Sequence, residues 1–190
     1  MPEVNQAAVD FLMSRRSRPA KALDLPVPNR EELLSLITAA ARTPDHGKLE
    51  PWRFIVLSEN KLRSLAQLVA DRGHVLGYDA EKIEKAQATY KTGHLAIAVV
   101  EVQKPSEKIP AIEQTYSAGA VCLALLNVAL ASGWGANWIS GWPSHERGFV
   151  EAGFGLEQHE RVAGIIYLGT ERSAPPERPR PNLDEIVRWE

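Results

Sequence analysis

Val4, Ala8, Phe11 and Leu12 recur at helical spacing and predict a first helix over about Asn5–Ser14. It delivers Arg15-Arg16-Ser17 at its end, and Pro19 stops it because the residue before a proline is pushed out of the α region. Asn29, with Glu32 three residues on, has the form of a capping box. Behind it Leu33, Leu34, Ile37, Ala40 and Ala41 form the apolar stripe of a second helix, which ends at Arg42-Thr43-Pro44. The proline-bounded segment Asp45–Trp52 reads as a loop, and Arg53–Leu57 as a strand. Leu62, Leu65, Ala66, Leu68 and Val69 mark a third helix, and Asp79–Lys91 a fourth, mostly polar one. Leu95–Val102 is β-branched and almost continuously apolar, the pattern of a buried strand.

After a polar connection at Lys104–Pro110, Ser117–Ser132 is the most apolar stretch and predicts a helix buried on most sides, ended by Gly133 in a left-handed cap. Trp134–Trp142 is a short, Gly-containing aromatic segment. Glu146–Phe154 suggests another helix and Arg161–Gly169 a strand. Ser173–Pro181 holds four prolines and predicts an extended arm, with Asp184–Trp189 as a terminal strand. About four strands are interleaved with helices that sometimes follow one another directly. That is too few strands for a sandwich and lacks the strict alternation of a doubly wound sheet. The pattern fits one layered α+β domain over residues 1–190, with 172–190 as its arm.

Composition adds limits. With 44% hydrophobic and 24% charged residues over 190 positions, the chain has the content of an ordinary folded domain. A net charge of −2 gives no bulk attraction to nucleic acid or to an anionic membrane. A single cysteine, Cys122, excludes an internal disulfide framework and reads as a small core residue. The N-terminus lacks the order of a signal peptide, and the apolar 117–132 stretch is short for a span and carries Asn127. A soluble, cytoplasmic protein is the expectation.

Common chemical signatures fail. Gly133-Trp134-Gly135 and Gly153-Phe154-Gly155 lack the third glycine of a dinucleotide fingerprint. His145-Glu146 and His159-Glu160 lack the second histidine of a zinc helix, and the histidines show no metal spacing. Three features remain. Arg15-Arg16-Ser17 offers two guanidinium forks and a hydroxyl, a match for a phosphate dianion; on spacing alone a solvated basic cluster is the plainer reading. Arg178-Pro179-Arg180 projects two arginines to one side of an extended chain, either as an anion clamp or as a solubilising tail. Arg42–Trp52 and Trp138–Gly141 join aromatic to small or polar residues, suited either to a flat heteroaromatic ligand or to core packing.

Taken in order along the chain, these pieces resemble the FMN-dependent nitroreductase family, in particular its small members, from about Val9 to Val187. Carrying the resemblance are Arg15-Arg16-Ser17, Arg42-Thr43-Pro44-Asp45-His46, Pro51-Trp52-Arg53-Phe54, the Ala-rich helix before Trp138-Ile139-Ser140-Gly141, Leu168-Gly169-Thr170, and the Pro/Arg arm. The resemblance implies a layered α+β sandwich around a mostly antiparallel sheet flanked by helices. It also implies a homodimer that exchanges its C-terminal arms and carries two flavin sites at the interface. Arg15, Arg16 and Ser17 then correspond to phosphate and ribityl binders, and Arg178 and Arg180 to a second phosphate clamp. Arg42 and His46 correspond to contacts from the other subunit, and Trp138, Ile139, Ser140 and Gly141 to the segment along the isoalloxazine edge near N5.

The implied activity is ping-pong oxidation of NADH or NADPH through FMN, with a nitroaromatic, quinone or similar acceptor and with no dedicated catalytic side chain. The alternative is an FMN-binding, storage or sensing protein without turnover. Three positions depart from the family pattern. Pro19 stands where many relatives have a basic residue, so the donor near flavin N1 and O2 must come from elsewhere, with Arg42 a candidate. Glu50 replaces a common Gln, and Ile139 replaces a polar or basic residue of some relatives.

Overall fold

The computed structural model describes residues 3–190. Most of its helices begin where a polar side chain takes up free N–H groups of the first turn. Asn5 accepts from the Ala8 N–H at the start of α1 (Gln6–Ser14). After the short strand β1 (Leu23–Asp24), Asn29 and Glu32 form the predicted capping box of α2 (Arg30–Ala40). β2 (Trp52–Ser58) leads into α3 (Glu59–Val75), capped by the Ser58 hydroxyl, and α4 (Ala80–Thr92) is capped by Asp79.

β3 (Leu95–Val102) is buried along its whole length. Next come α5 (Ala111–Ala131), β4 (Gly135–Ile139), the single turn α6 (Trp142–His145), and α7 (Arg147–Phe154). β5 (Glu160–Glu171) and α8 (Leu183–Ile186) close the chain.

The strands form one five-stranded sheet in the order β1-β5-β3-β2, with β4 also on β5 and every pair antiparallel. β5 is the hub: β3 runs along one edge, while β4 and then β1 share the other. Alternation on β3 divides the core in two. Ala96, Ala98 and Val100 pack toward α3, α4 and α7, with Leu62, Leu65 and Phe149. Leu95, Ile97 and Val99 face α2 and α5, with Leu36, Val121 and Leu125. The fold is therefore the expected layered α+β sandwich, helices on both faces of an antiparallel sheet.

Three local expectations are corrected. Residues 135–139, read only as part of a short, Gly-containing aromatic segment with no element assigned, are strand β4, because pairing with Gly169–Ile165 of β5 outweighs the weak strand signal of a Gly-Ala start. The C-terminal segment is not a strand: Asn182 caps the single helical turn α8, and no edge of the sheet reaches it. Finally, α5 begins at Ala111 and is buried on one face only. Gln114, Ala118, Val121, Cys122, Leu125 and Ala129 point into the core, while Ile112, Tyr116 and Leu123 stay exposed. By length and composition α5 is apolar enough to cross a membrane, but its inner face is spent on the sheet. Gly133 does adopt the left-handed cap, at φ 85°.

Candidate functional site

α1 ends as the Arg15 N–H bonds Phe11 O, and the chain then turns across the sheet edge. The Arg18 N–H donates to Ala136 O at 2.8 Å, and the Asn137 amide returns a bond to Arg18 O at 2.7 Å. Arg18 Nε also pairs with Glu171 at 2.6 Å. These bonds lock the Arg15–Arg18 segment against β4 and the end of β5. The arm then folds back over it, with Arg180 donating to Met13 O at 3.1 Å.

Arg15, Arg16, Ser17, Arg178 and Arg180 thereby line one cavity of about 160 Å³. Arg15 reaches the Ser17 hydroxyl at 3.1 Å, yet Arg15 Nε and Arg16 Nη1 are buried with no hydrogen-bond partner. Glu177 approaches Arg16 Nη1 only to 3.8 Å and remains well exposed. Burial, then the positive fields of Arg16, Arg180 and Arg18, push the Arg15 guanidinium below its usual value. Glu177 also pairs with Arg180 at 3.0 Å, so a single exposed carboxylate stands beside four arginines, and that excess of cations around one cavity is unfavourable unless a further anion joins them. The two arginine motifs, separated by most of the chain, are one site.

Further along β4, beyond the residues that bond Arg18, runs the turn into α6. Trp138 and Ile139 end the strand, and Ser140-Gly141 form the link. The Trp138 indole lies on the β5 backbone at Gly164, where a Cβ would sit 2.1 Å from Nε1. A bulge in the β3–β5 pairing at this point leaves Ala163 unmatched and bends the strand. Ile139, Ser140, Gly141 and Trp142 form one wall of a second cavity, of about 250 Å³. Lys82, Lys85, Ala86 and Thr89, a stripe along α4, form the opposite wall, with Ile165 and Tyr167 from β5 also lining it. The Trp142 indole N–H and the Tyr167 hydroxyl are buried here without partners, and burial raises the Tyr167 phenol. The cavity is thus mainly apolar, with isolated donors in its lining and cations at its rim.

Arg42 and His46 lie elsewhere in the same chain. His46 meets Glu113 of α5 at 2.6 Å and lines a cleft with Pro44, Tyr116 and Ser117. Its loop is held by Asp45, which accepts from the Leu49 N–H, and by Ser117, which bonds both Trp52 Nε1 and Pro44 O. Gly47 takes φ 74°, and a side chain there would collide with Ile109. Trp52 is therefore partly buried beside α5, in the packing role left open for it. Neither Arg42 nor His46 lines the arginine cavity or the Ser140 cavity. The residues that the sequence reading missed are Lys82, Lys85, Trp142 and Tyr167. Their signal was the 82/85/86/89 spacing, which in a mostly polar helix looks like a solvated face.

The Nitroreductase family model matches residues 12–170. The chain belongs to this family. Among curated relatives, the candidate NAD(P)H nitroreductase YdjA of Escherichia coli K12 is 35% identical over 164 residues, covering 86% of this chain and 87% of its own. A candidate NAD(P)H nitroreductase of Haemophilus influenzae is 36% identical over 166 residues, covering 86% and 88%. A nitroreductase-like family protein from Bacillus cereus superposes with a TM-score of 0.80 at 21% identity, over 100% of this chain and 98% of that one. A candidate nitroreductase of Desulfovibrio desulfuricans, solved in complex with FMN, does so with a TM-score of 0.76 at 17% identity, over 100% and 98%. This nitroreductase-family chain therefore shares the fold of those structures along its full length.

Proposed function

We propose that this nitroreductase-family protein is an FMN-dependent NAD(P)H oxidoreductase that reduces a nitroaromatic, quinone or similar small acceptor in a ping-pong cycle. The observation that carries the reading is the arginine cavity with its two buried, unpartnered guanidinium nitrogens, which fits a phosphate dianion. Arg15, Arg16, Ser17, Arg178 and Arg180 hold that phosphate. Trp138, Ile139, Ser140 and Gly141 run along the isoalloxazine edge, and Ser140 offers its N–H or hydroxyl there. Support comes from the FMN complex of the Desulfovibrio desulfuricans relative and from the NAD(P)H in the name of YdjA. FMN, when bound, supplies two-electron exchange between the nicotinamide and the acceptor. The protein's part is to bind, orient and charge the pocket.

The reading includes a homodimer. Leu12 and Met13 of α1, and Ile112, Tyr116 and Leu123 of α5, are exposed apolar residues, as are Leu183 and Trp189 of the arm. Exposed apolar side chains on these elements are the kind that an apolar interface with a second copy would cover. Across such an interface Arg42 and His46 reach the flavin site of the partner, which their position within one chain does not allow.

Fluorescence titration with FMN tests the cradle. Arg15→Ala removes a charge-assisted bond worth about 1.5–3 kcal/mol, which is roughly 10- to 100-fold in affinity. Unchanged affinity would reject the phosphate assignment. Anaerobic addition of NADH or NADPH to the FMN-loaded wild type should bleach the flavin. Yellow protein that neither nucleotide bleaches would leave an FMN-storage or sensing protein instead.

A further inference from the structure

The segment from Gly141 to Glu146 is held by contacts that neither cavity accounts for. α6 is a single turn, closed as the Ser144 N–H bonds Gly141 O at 3.0 Å and the Glu146 N–H bonds Pro143 O at 3.3 Å. Gly141 and Glu146 are therefore the two ends of one small unit, and moving one moves the other. Pro143 and Ser144 between them are buried. At the far end the Glu146 carboxylate accepts from the Gly148 and Phe149 N–H groups, at 3.1 and 2.6 Å, and so caps α7. Arg72 of α3 grips the same carboxylate through two bonds, at 2.9 and 2.8 Å. Its guanidinium lies on Gly148, where a Cβ would collide with it. At the near end Trp142 packs edge-on against Tyr78, with ring centres 5.1 Å apart. The Tyr78 N–H in turn bonds Gly73 O of α3. Both anchors of the turn thus come from the C-terminal end of α3 and the link that follows it.

A two-bond arginine fork fixes orientation as well as distance. Stability alone does not ask for one, since apolar side chains of similar volume hold a buried position at least as well as an ion pair. Arg72 and Glu146 line neither the arginine cavity nor the Ser140 cavity. What their grip orients is the unit that begins at Gly141, directly after Ser140. Resting on the proposed FMN site, we infer that Arg72, acting through Glu146, is a positioning residue that sets where the Ser140–Gly141 edge meets the flavin. It touches neither flavin nor nicotinamide and moves no proton. The arginine cradle fixes the phosphate, and this clamp fixes the wall against which the ring is read.

The test is the rate at which NADH or NADPH reduces bound FMN anaerobically at saturating nucleotide. The affinity for oxidised FMN, the visible circular dichroism of the flavin and the urea midpoint are measured beside it. Arg72→Met should leave FMN affinity within about threefold of wild type, because the cradle that holds the phosphate is separate and intact. It should slow reduction about tenfold with little change in the nucleotide concentration for half-maximal rate, the loss expected when reacting groups stay bound but lose alignment. The flavin dichroism should change with it. Arg72→Lys keeps the charge but not the fork, and it should also be slow. Leu125→Ala opens a cavity on the opposite face of the sheet, so it should lower the urea midpoint and leave the reduction rate unchanged. An unchanged rate and dichroism in Arg72→Met, with FMN bound, would overturn this inference alone. Wild-type speed in Arg72→Lys would overturn it by replacing geometry with charge, and that variant decides the matter if Arg72→Met does not fold. Slowing of the same size in Leu125→Ala would overturn it too, by tracing the effect to lost stability. Wild-type protein that binds no FMN, or binds FMN that neither nucleotide reduces, would instead overturn the parent reading, and this one with it.

Discussion

Leu123 and Leu125 sit two residues apart on α5, and they differ in every respect except chemistry. Leu125 is fully buried against the sheet, in the cluster that holds Leu36, Ile97 and Val121. Leu123 is 46% exposed and shares its face with Ile112 and Tyr116. Both stripes are apolar enough to belong in a core, so hydrophobic content alone does not separate them. The inner stripe has found its partner within the chain, and the outer one has not. α1 makes the same point more strongly. It is a properly capped amphipathic helix, yet none of its residues is buried. Periodicity says that a face wants covering; it does not say whether the cover is the same chain or another.

The largest expected effect separates the two stripes directly. Leu125→Ala leaves a cavity in a closed core and should cost about 2–5 kcal/mol, read as a lower denaturant midpoint at every protein concentration. Leu123→Asp should cost the isolated chain little, since its side chain already meets water. Combined with Leu12→Asp on α1, it should convert the proposed dimer to a folded monomer in light scattering and make FMN binding at least tenfold weaker. A double variant that remains dimeric would show that α1 and α5 do not form the interface. An equal loss of stability in Leu123→Asp and Leu125→Ala would show that the two faces of α5 are not distinct.

The same contrast explains what the sequence made legible. β3 was plain because a strand buried on both faces is almost continuously apolar, and the Asn29–Glu32 capping box and proline stops are local chemistry. Arg15–Ser17 and Arg178–Arg180 were legible as motifs, but not as one site, since their meeting depends on a fold-back spanning the whole chain. β4 was missed because its strand character comes from β5 and from the Trp138–Gly164 contact rather than from its own residues. Lys82 and Lys85 were missed for a related reason. A lysine on a polar helix looks the same whether it faces solvent or the rim of a cavity, and only the wall across from it decides.

The smallest expected effect lies inside the closed region, at the ion pair that ties β2 to β5 across the end of β3. Arg53 grips Glu160 through two bonds, at 2.7 and 2.8 Å. That grip, with a further bond from the Glu157 N–H, holds the Glu160 carboxyl down at about 2, against a usual value of 4.5. A carboxylate depressed on folding adds stability above its unfolded value, and that stability drains away as pH falls toward the folded one. The pair should therefore support the fold fully near neutrality and lose its contribution between about pH 4.5 and 2. Its worth is about 1 kcal/mol, reduced because the Arg53 side chain stays 40% exposed and screened by water. Glu160→Gln should lower the urea midpoint slightly at pH 7, and the gap to wild type should narrow through that acid window. Because both partners belong to one chain, the gap should be the same in the proposed dimer and in the Leu12→Asp/Leu123→Asp monomer. A gap that vanishes in the monomer would place this end of the sheet under the control of the interface, and the division between a closed interior and a face awaiting its partner would have to be redrawn.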